Sequence, residues 1–229
     1  MRILVTTLVR MALIAMPLAA QWLDHRTAGI PRSADGKANL SAPAPRTAEG
    51  KPDFTGLWAV AAARADFNTA EVQPWAQALV KQRAEDFGKD SPRYRCMPEG
   101  PAYSSSGGMH RILQTPAMIV IMNDDLTYRQ IFLDGRALET DPSPNWMGYS
   151  VGRWEGDVLV VETKGFNDRT WLEATGYPHT EGLRMTERYR RSDFGHLQME
   201  VKLEDPAIYS RPWTFTVAAQ FAADTELFD

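Results

Sequence analysis

The sequence predicts a mainly β protein, an antiparallel meander barrel of about eight strands with one helical insertion. Three hairpins from residue 118 onward support this prediction, because their apolar residues recur with the period of two that half-buried strands show. Only one stretch combines helical spacing with helix-start and helix-end residues. A set of short strands that closes into a barrel hides its edges from other chains, so closure is the expected arrangement.

The N-terminus predicts export. Arg2 gives a short positive start, residues 3–20 are almost entirely apolar, and the Pro-Leu-Ala-Ala ending at Ala20 suits signal peptidase. An amphipathic helix is the alternative, and Arg10 interrupts the run of about 20 apolar residues that a membrane span needs. We therefore expect a signal peptide over residues 1–20, a periplasmic or secreted protein, and no membrane span in the mature form.

The mature chain is predicted to consist of an arm and one domain. Residues 21–52 are rich in Ala, Pro, Ser and Gly and lack periodicity, which is typical of a linker or N-terminal arm. Residues 53–229 then predict a single β-barrel domain, which begins with a short apolar strand that ends at Val60.

The helical insertion is predicted over residues 74–87. Pro74 suits the first position of a helix, apolar residues follow at near-helical spacing, and Gly88 can end the helix. Residues 89–116 are rich in Pro, Gly and Ser and are predicted to form a loop.

Alternating segments that flank turn residues predict the remaining strands. Glycine in the second turn, at position 156, is expected to adopt a positive φ. The predicted strands are 118–123 with 127–133, 147–154 with 158–163, 183–191 with 196–203, and a final strand 213–221.

One carboxylate lies on an otherwise apolar strand face. Met185 and Tyr189 share this face with Glu187, so the carboxylate is expected to point into the barrel. Loss of hydration there raises the pKa of a carboxylic acid unless a cation pairs with it, and a raised pKa suits a general acid or base. The alternative is a structural ion pair between Glu187 and Arg129 or Arg153.

The connection 165–182 is the most informative segment for function. Long connections in compact domains are usually functional or disordered, and this one is too aromatic to be disordered. His179 is the predicted proton shuttle, with a surface histidine as the alternative. Glu181 would orient His179 if the chain is extended there, and Asp168 is a second predicted orienting group, with an ion-pair role as its alternative.

Aromatic residues predict the walls of a ligand cavity. Trp146, Trp154 and Trp171 would suit an aromatic or polycyclic ligand if they surround one cavity mouth, although core or rim packing is the more frequent role. Tyr189 and Arg136 complete the predicted substrate-binding residues. Arg136 follows Asp-Gly at the end of the first hairpin, so a turn and ion-pair role is its alternative.

Composition excludes several functions. The chain has 25 basic and 29 acidic residues, and without residues 1–20 its net charge becomes −6, so we expect no nucleic-acid partner. The single cysteine, Cys96, excludes an internal disulfide framework. HExxH is absent and the other histidines are scattered, so we expect no metal and no cofactor.

Two segments resemble a group of exported bacterial proteins of unknown function. They are YRQIFLDGR at 128–136 and the stretch 145–197, which contains WEGD, GFND-x-x-W and PH-[ST]-E. The resemblance covers the chain from about residue 52 to the end and implies no particular activity or catalytic residues. It does imply that relatives continue into a segment with a second cysteine, so that truncation would leave Cys96 without a partner.

The opening Gly56-Leu57-Trp58 is similar to the G-x-W of lipocalin-like barrels, which implies a calycin-type fold. Two functions follow as hypotheses. The first is an exported, cofactor-independent lyase, isomerase or hydrolase that uses Glu187 and His179 as an acid–base pair on a small apolar or aromatic molecule. The second is a non-catalytic binding protein of the cell envelope that uses the same cavity.

Overall fold

Nine strands in chain order form a closed barrel in the computed structural model, which describes residues 26–62, 72–104 and 107–227. The mainly β barrel of about eight strands is thus confirmed. The predicted signal peptide over residues 1–20 lies outside the described residues. The strands are β1 Gly56–Val60, β2 Gly108–Gln114, β3 Met118–Asn123, β4 Tyr128–Phe132, β5 Tyr149–Glu155, β6 Val158–Lys164, β7 Arg184–Arg191, β8 His196–Glu204 and β9 Trp213–Phe221.

The prediction of a loop over residues 89–116 is wrong in part, because this segment contains β2. This strand pairs with β1 and β3 and points Ile112 into the core. Its alternation is hard to recognise, since His110 faces inward and Leu113 is 45% exposed on the outer face. A 3₁₀ helix Pro92–Arg95 and a short helix Pro101–Ser104 precede the strand.

The long helix spans Pro74–Glu85 and ends two residues before the predicted boundary. Phe87 has a φ of 56° and is 92% exposed, so it does not belong to the buried side of the helix. Ala76 is the buried residue of the helix. No helix in the three described ranges is long and apolar enough to cross a membrane.

An odd number of strands forces one parallel junction in the ring. Eight junctions are antiparallel, as predicted, whereas β4 and β5 run in the same direction. The chain from residue 133 to residue 148 has to travel back along the barrel before β5 begins. The pairing at this junction covers only Ile131 with Ser150 and Phe132 with Val151.

Arg191 packs against Trp58, which is fully buried. The guanidinium lies 4.8 Å from the Trp58 ring centre and donates to the backbone oxygens of Asp53 and Phe194. Burial lowers the pKa of Arg191 to about 10. The tryptophan of the Gly56-Leu57-Trp58 segment is therefore a core residue with a guanidinium over its ring.

Residues 26–52 lie along the barrel and contact it at several points. Arg32 pairs with Asp224 at 2.6 Å. The backbone N–H of Phe194 donates to Ala42 at 2.7 Å, and Arg46 pairs with Asp157 at 2.7 Å. The described part of the predicted arm is therefore held by hydrogen bonds and ion pairs along its length.

Candidate functional site

A buried ion pair lies inside the barrel. Arg129 of β4 donates through Nη1 to Oε1 of Glu187 at 3.0 Å and through Nη2 to Oε2 at 2.5 Å. The Tyr189 hydroxyl donates to the same Oε1 at 2.7 Å. Glu187 is 0% exposed and Arg129 is 3% exposed. Of the two sequence hypotheses for Glu187, this geometry corresponds to the ion pair with Arg129.

Two hydroxyl groups complete the network around Arg129. Its Nε donates to Ser150 Oγ at 2.9 Å and its Nη2 to Thr163 Oγ1 at 2.6 Å, while the two hydroxyls lie 3.0 Å apart. Burial disfavours the charged guanidinium, but the negative charge of Glu187 offsets this effect, and the net result is a raised pKa for Arg129. One guanidinium thus links strands β4, β5, β6 and β7.

Tyr189 is fixed as a hydrogen-bond donor. Burial, followed by the nearby charge of Glu187, raises the pKa of Tyr189 well above its ordinary value. A phenol in this state keeps its proton near neutrality, so it orients the carboxylate rather than exchanging a proton with a ligand.

A cleft opens in the barrel wall beside this network. Strand β4 pairs with β5 only from Ile131 onward, so the earlier part of β4 separates from the segment that leads into β5. The resulting cleft has a volume of about 570 Å³. Four aromatic residues contribute to its walls: Tyr128, Phe132, Trp146 and Tyr149.

Arg136 contacts two residues of the aromatic wall of the cleft. Its guanidinium lies 3.8 Å from the Phe132 ring centre and donates to the Tyr149 hydroxyl at 3.2 Å. Asp134 holds the same guanidinium through Nε and Nη2. The ion-pair alternative for Arg136 is therefore observed, and the ion pair sits against two residues of the cleft.

A much smaller chamber lies inside the barrel, with a volume of about 20 Å³. Arg129 and Met147 line both this chamber and the cleft, so the two cavities adjoin. The chamber is further lined by Pro101, His110, Ile121, Asn123, Tyr189 and Met199. Sequence reasoning missed His110 because it lies in a segment predicted to be a loop, and it missed Asn123 because this residue ends an otherwise apolar strand.

His179 is buried within the long connection and is 4% exposed. Its Nε2 lies 2.6 Å from Thr170 Oγ1 and its Nδ1 lies 3.0 Å from the Thr180 oxygen. Burial lowers the pKa of His179 below its ordinary value. Among the described residues these hydrogen bonds do not reach Glu187, so the two predicted acid–base partners are not brought together by direct contact.

The predicted orienting groups of His179 lie elsewhere. Asp168 and Glu181 are exposed, and Glu181 lines a separate surface pocket of about 190 Å³. The carboxylate that lies near His179 is Asp205, which accepts a 2.6 Å hydrogen bond from the backbone N–H of the next residue, Thr180. The aspartate lies 25 residues away in the chain, and no local pattern connects it to the loop.

The three predicted tryptophans do not surround one cavity mouth. Trp146 lines the cleft, whereas Trp154 packs against Phe54 at a ring distance of 5.4 Å. Trp171 is 5% exposed, and the Arg83 guanidinium lies over its ring at 4.5 Å from the ring centre. Because Arg83 belongs to the long helix, Trp171 packs against that helix. The prediction that Trp171 contacts a ligand thus has no support in its position.

No protein-family model, curated protein or solved structure matches this chain. Within the described ranges, no three His, Cys, Asp or Glu side chains come together as a metal site. Cys96 is exposed and forms no disulfide with any described residue. Among the described residues, the cleft, the chamber and the buried ion pair are therefore the features that point to a function.

Proposed function

We propose that this protein is an exported binding protein for a small apolar or aromatic molecule, which occupies the cleft between β4 and β5. The observation that carries this proposal is the aromatic wall of an open cavity of about 570 Å³. Ligand sites are usually concave, mostly apolar and about 300–1,000 Å³ in volume. Aromatic rings favour offset or edge contacts with other rings, which makes an aromatic ligand the best match.

The geometry supports binding better than acid–base catalysis. Both carboxylate oxygens of Glu187 accept hydrogen bonds from Arg129, and Tyr189 donates a third. A general base has to reach the proton that it abstracts, and these bonds hold the carboxylate against its own partners. His179 is engaged within a different part of the molecule, so it does not supply the missing group.

The test uses N-phenyl-1-naphthylamine, a neutral aromatic probe whose fluorescence rises in an apolar site. The purified protein should bind it saturably, and Trp146→Ala should weaken binding about tenfold, because a cleft wall is removed. The matched control is Trp75→Ala, since Trp75 is 52% exposed on the helix and does not line the cleft. Absence of saturable binding, or equal losses in the two variants, would refute the proposed site.

A further inference from the structure

We propose that the cleft and the inner chamber form one composite site, in which the chamber receives a neutral polar group of the ligand. This inference rests on the proposed function and narrows its ligand class. The ligand would be an aromatic molecule with a terminal hydroxyl, carbonyl or amide group. The aromatic body would occupy the cleft, and the polar end would pass Met147.

Met147 separates the two cavities. It lies two residues before β5, beside the part of β4 that pairs with β3 but not with β5, and it lines both cavities together with Arg129. Methionine is unbranched and has several rotatable bonds, so it changes shape at low cost. A ligand can therefore displace this side chain without breaking the strand pairing that begins at Ile131.

The chamber suits a polar group because its lining contains buried hydrogen-bonding side chains. Asn123 is 3% exposed and uses one amide N–H on Thr127 Oγ1 at 2.8 Å. An amide group can form up to four hydrogen bonds, which leaves capacity for a ligand. The volume of about 20 Å³ is close to that of one water molecule, so the chamber accepts a single small group.

The buried ion pair requires this group to be neutral. Arg129 and Glu187 already balance each other at a separation of 2.5 Å. An anionic group would add a negative charge beside the buried carboxylate, and a cationic group would add a positive charge beside the guanidinium. Either addition leaves a net charge beside side chains that are almost fully buried, which is strongly unfavourable.

The experiment compares 4-phenyl-1-butanol with pentylbenzene, which has a methyl group in place of the hydroxyl. Each compound displaces N-phenyl-1-naphthylamine from the full protein. A purely apolar cleft binds pentylbenzene more tightly, because its methyl group buries more apolar area. The composite site should instead bind the alcohol at least as tightly as pentylbenzene.

Met147→Phe tests the passage without altering the ion pair, because a rigid ring replaces the flexible side chain. It should weaken the alcohol about tenfold more than it weakens pentylbenzene, because Met147 lines the cleft as well as the chamber, while Met122→Phe on the outer face of β3 should change neither affinity. Tighter binding of pentylbenzene to the unmodified protein, or equal effects of Met147→Phe on both compounds, overturns the composite site. If the fluorescent probe itself does not bind, the proposed function fails as well, so the two failures are distinguishable.

Discussion

Glu187→Gln should strongly destabilise the fold although it changes the side chain by only one group. The variant removes the negative charge and leaves Arg129, which is 3% exposed, as a buried cation without its counter-ion. The amide replaces one carboxylate oxygen with an NH2 donor, so one of the two guanidinium N–H groups faces a donor instead of the oxygen that accepts its hydrogen bond in the carboxylate. Breaking one half of a buried pair typically costs about 3–5 kcal/mol, and we expect a loss in this range.

Equilibrium unfolding in urea measures this loss directly. Glu162→Gln is the matched control, because Glu162 pairs with Arg153 on the exposed side of the neighbouring strand. Exposed ion pairs contribute little, so this control should change the free energy of unfolding only slightly. The double variant Arg129→Met/Glu187→Gln should lose less than the sum of its two single changes, because the pair is energetically coupled. A loss for Glu187→Gln no larger than that of Glu162→Gln would refute the structural role and return Glu187 to the acid–base hypothesis.

Two further predictions concern the long connection and the entry to β5. Because burial lowers the pKa of His179 below 6.5, the unfolded chain binds this proton more readily. The free energy of unfolding should therefore fall as the pH drops below about 6.5, by at most about 1.4 kcal/mol per pH unit for this proton. His179→Gln should reduce this fall in melts measured at several pH values, and a fall as steep as that of the unmodified protein would contradict the burial of His179. Gly148→Ala should lower the melting temperature more than Gly156→Ala, although both glycines have positive φ. A Cβ at position 148 would lie 2.6 Å from the Thr163 methyl, whereas position 156 is open within 4 Å, so equal shifts would contradict this packing.

The hairpins could be predicted from sequence because their signals are local. Alternation places Met199 and Val201 in the core, and the turn glycine at position 156 has the expected positive φ of 61°. Strand β2 gave no such signal, since its inward position 110 is a histidine and its outward position 113 is a leucine. Whether these two residues face in or out is decided by pairing with β3 and with β1, and β1 lies far earlier in the chain.

The sequence predicts the residues of the candidate site only where they lie on a strand with a clear alternating pattern. The alternating pattern of β7 predicts that Glu187 lies inside the barrel, and it leaves Arg129 and Arg153 as two possible partners. The choice between Arg129 and Arg153 depends on which strand face each occupies and on contacts across 58 residues of chain. The connection 165–182 follows no period, so its composition suggested a functional segment but could not show that His179 binds Thr170.

The position of the cleft follows from the number of strands. A closed ring in which every strand opposes its neighbours needs an even number of strands, and this barrel has nine. One junction must therefore be parallel, and the chain must return along the barrel to reach it. At that junction the ladder covers two residue pairs, whereas β5 and β6 form seven. The strand ladder is thus short between β4 and β5, and the cleft opens there. Arg129 donates hydrogen bonds to Ser150, Thr163 and Glu187, and these bonds hold the strands together behind the opening. The ion pair between Arg129 and Glu187 therefore also holds together the strands beside a cleft that the strand pairing alone leaves open.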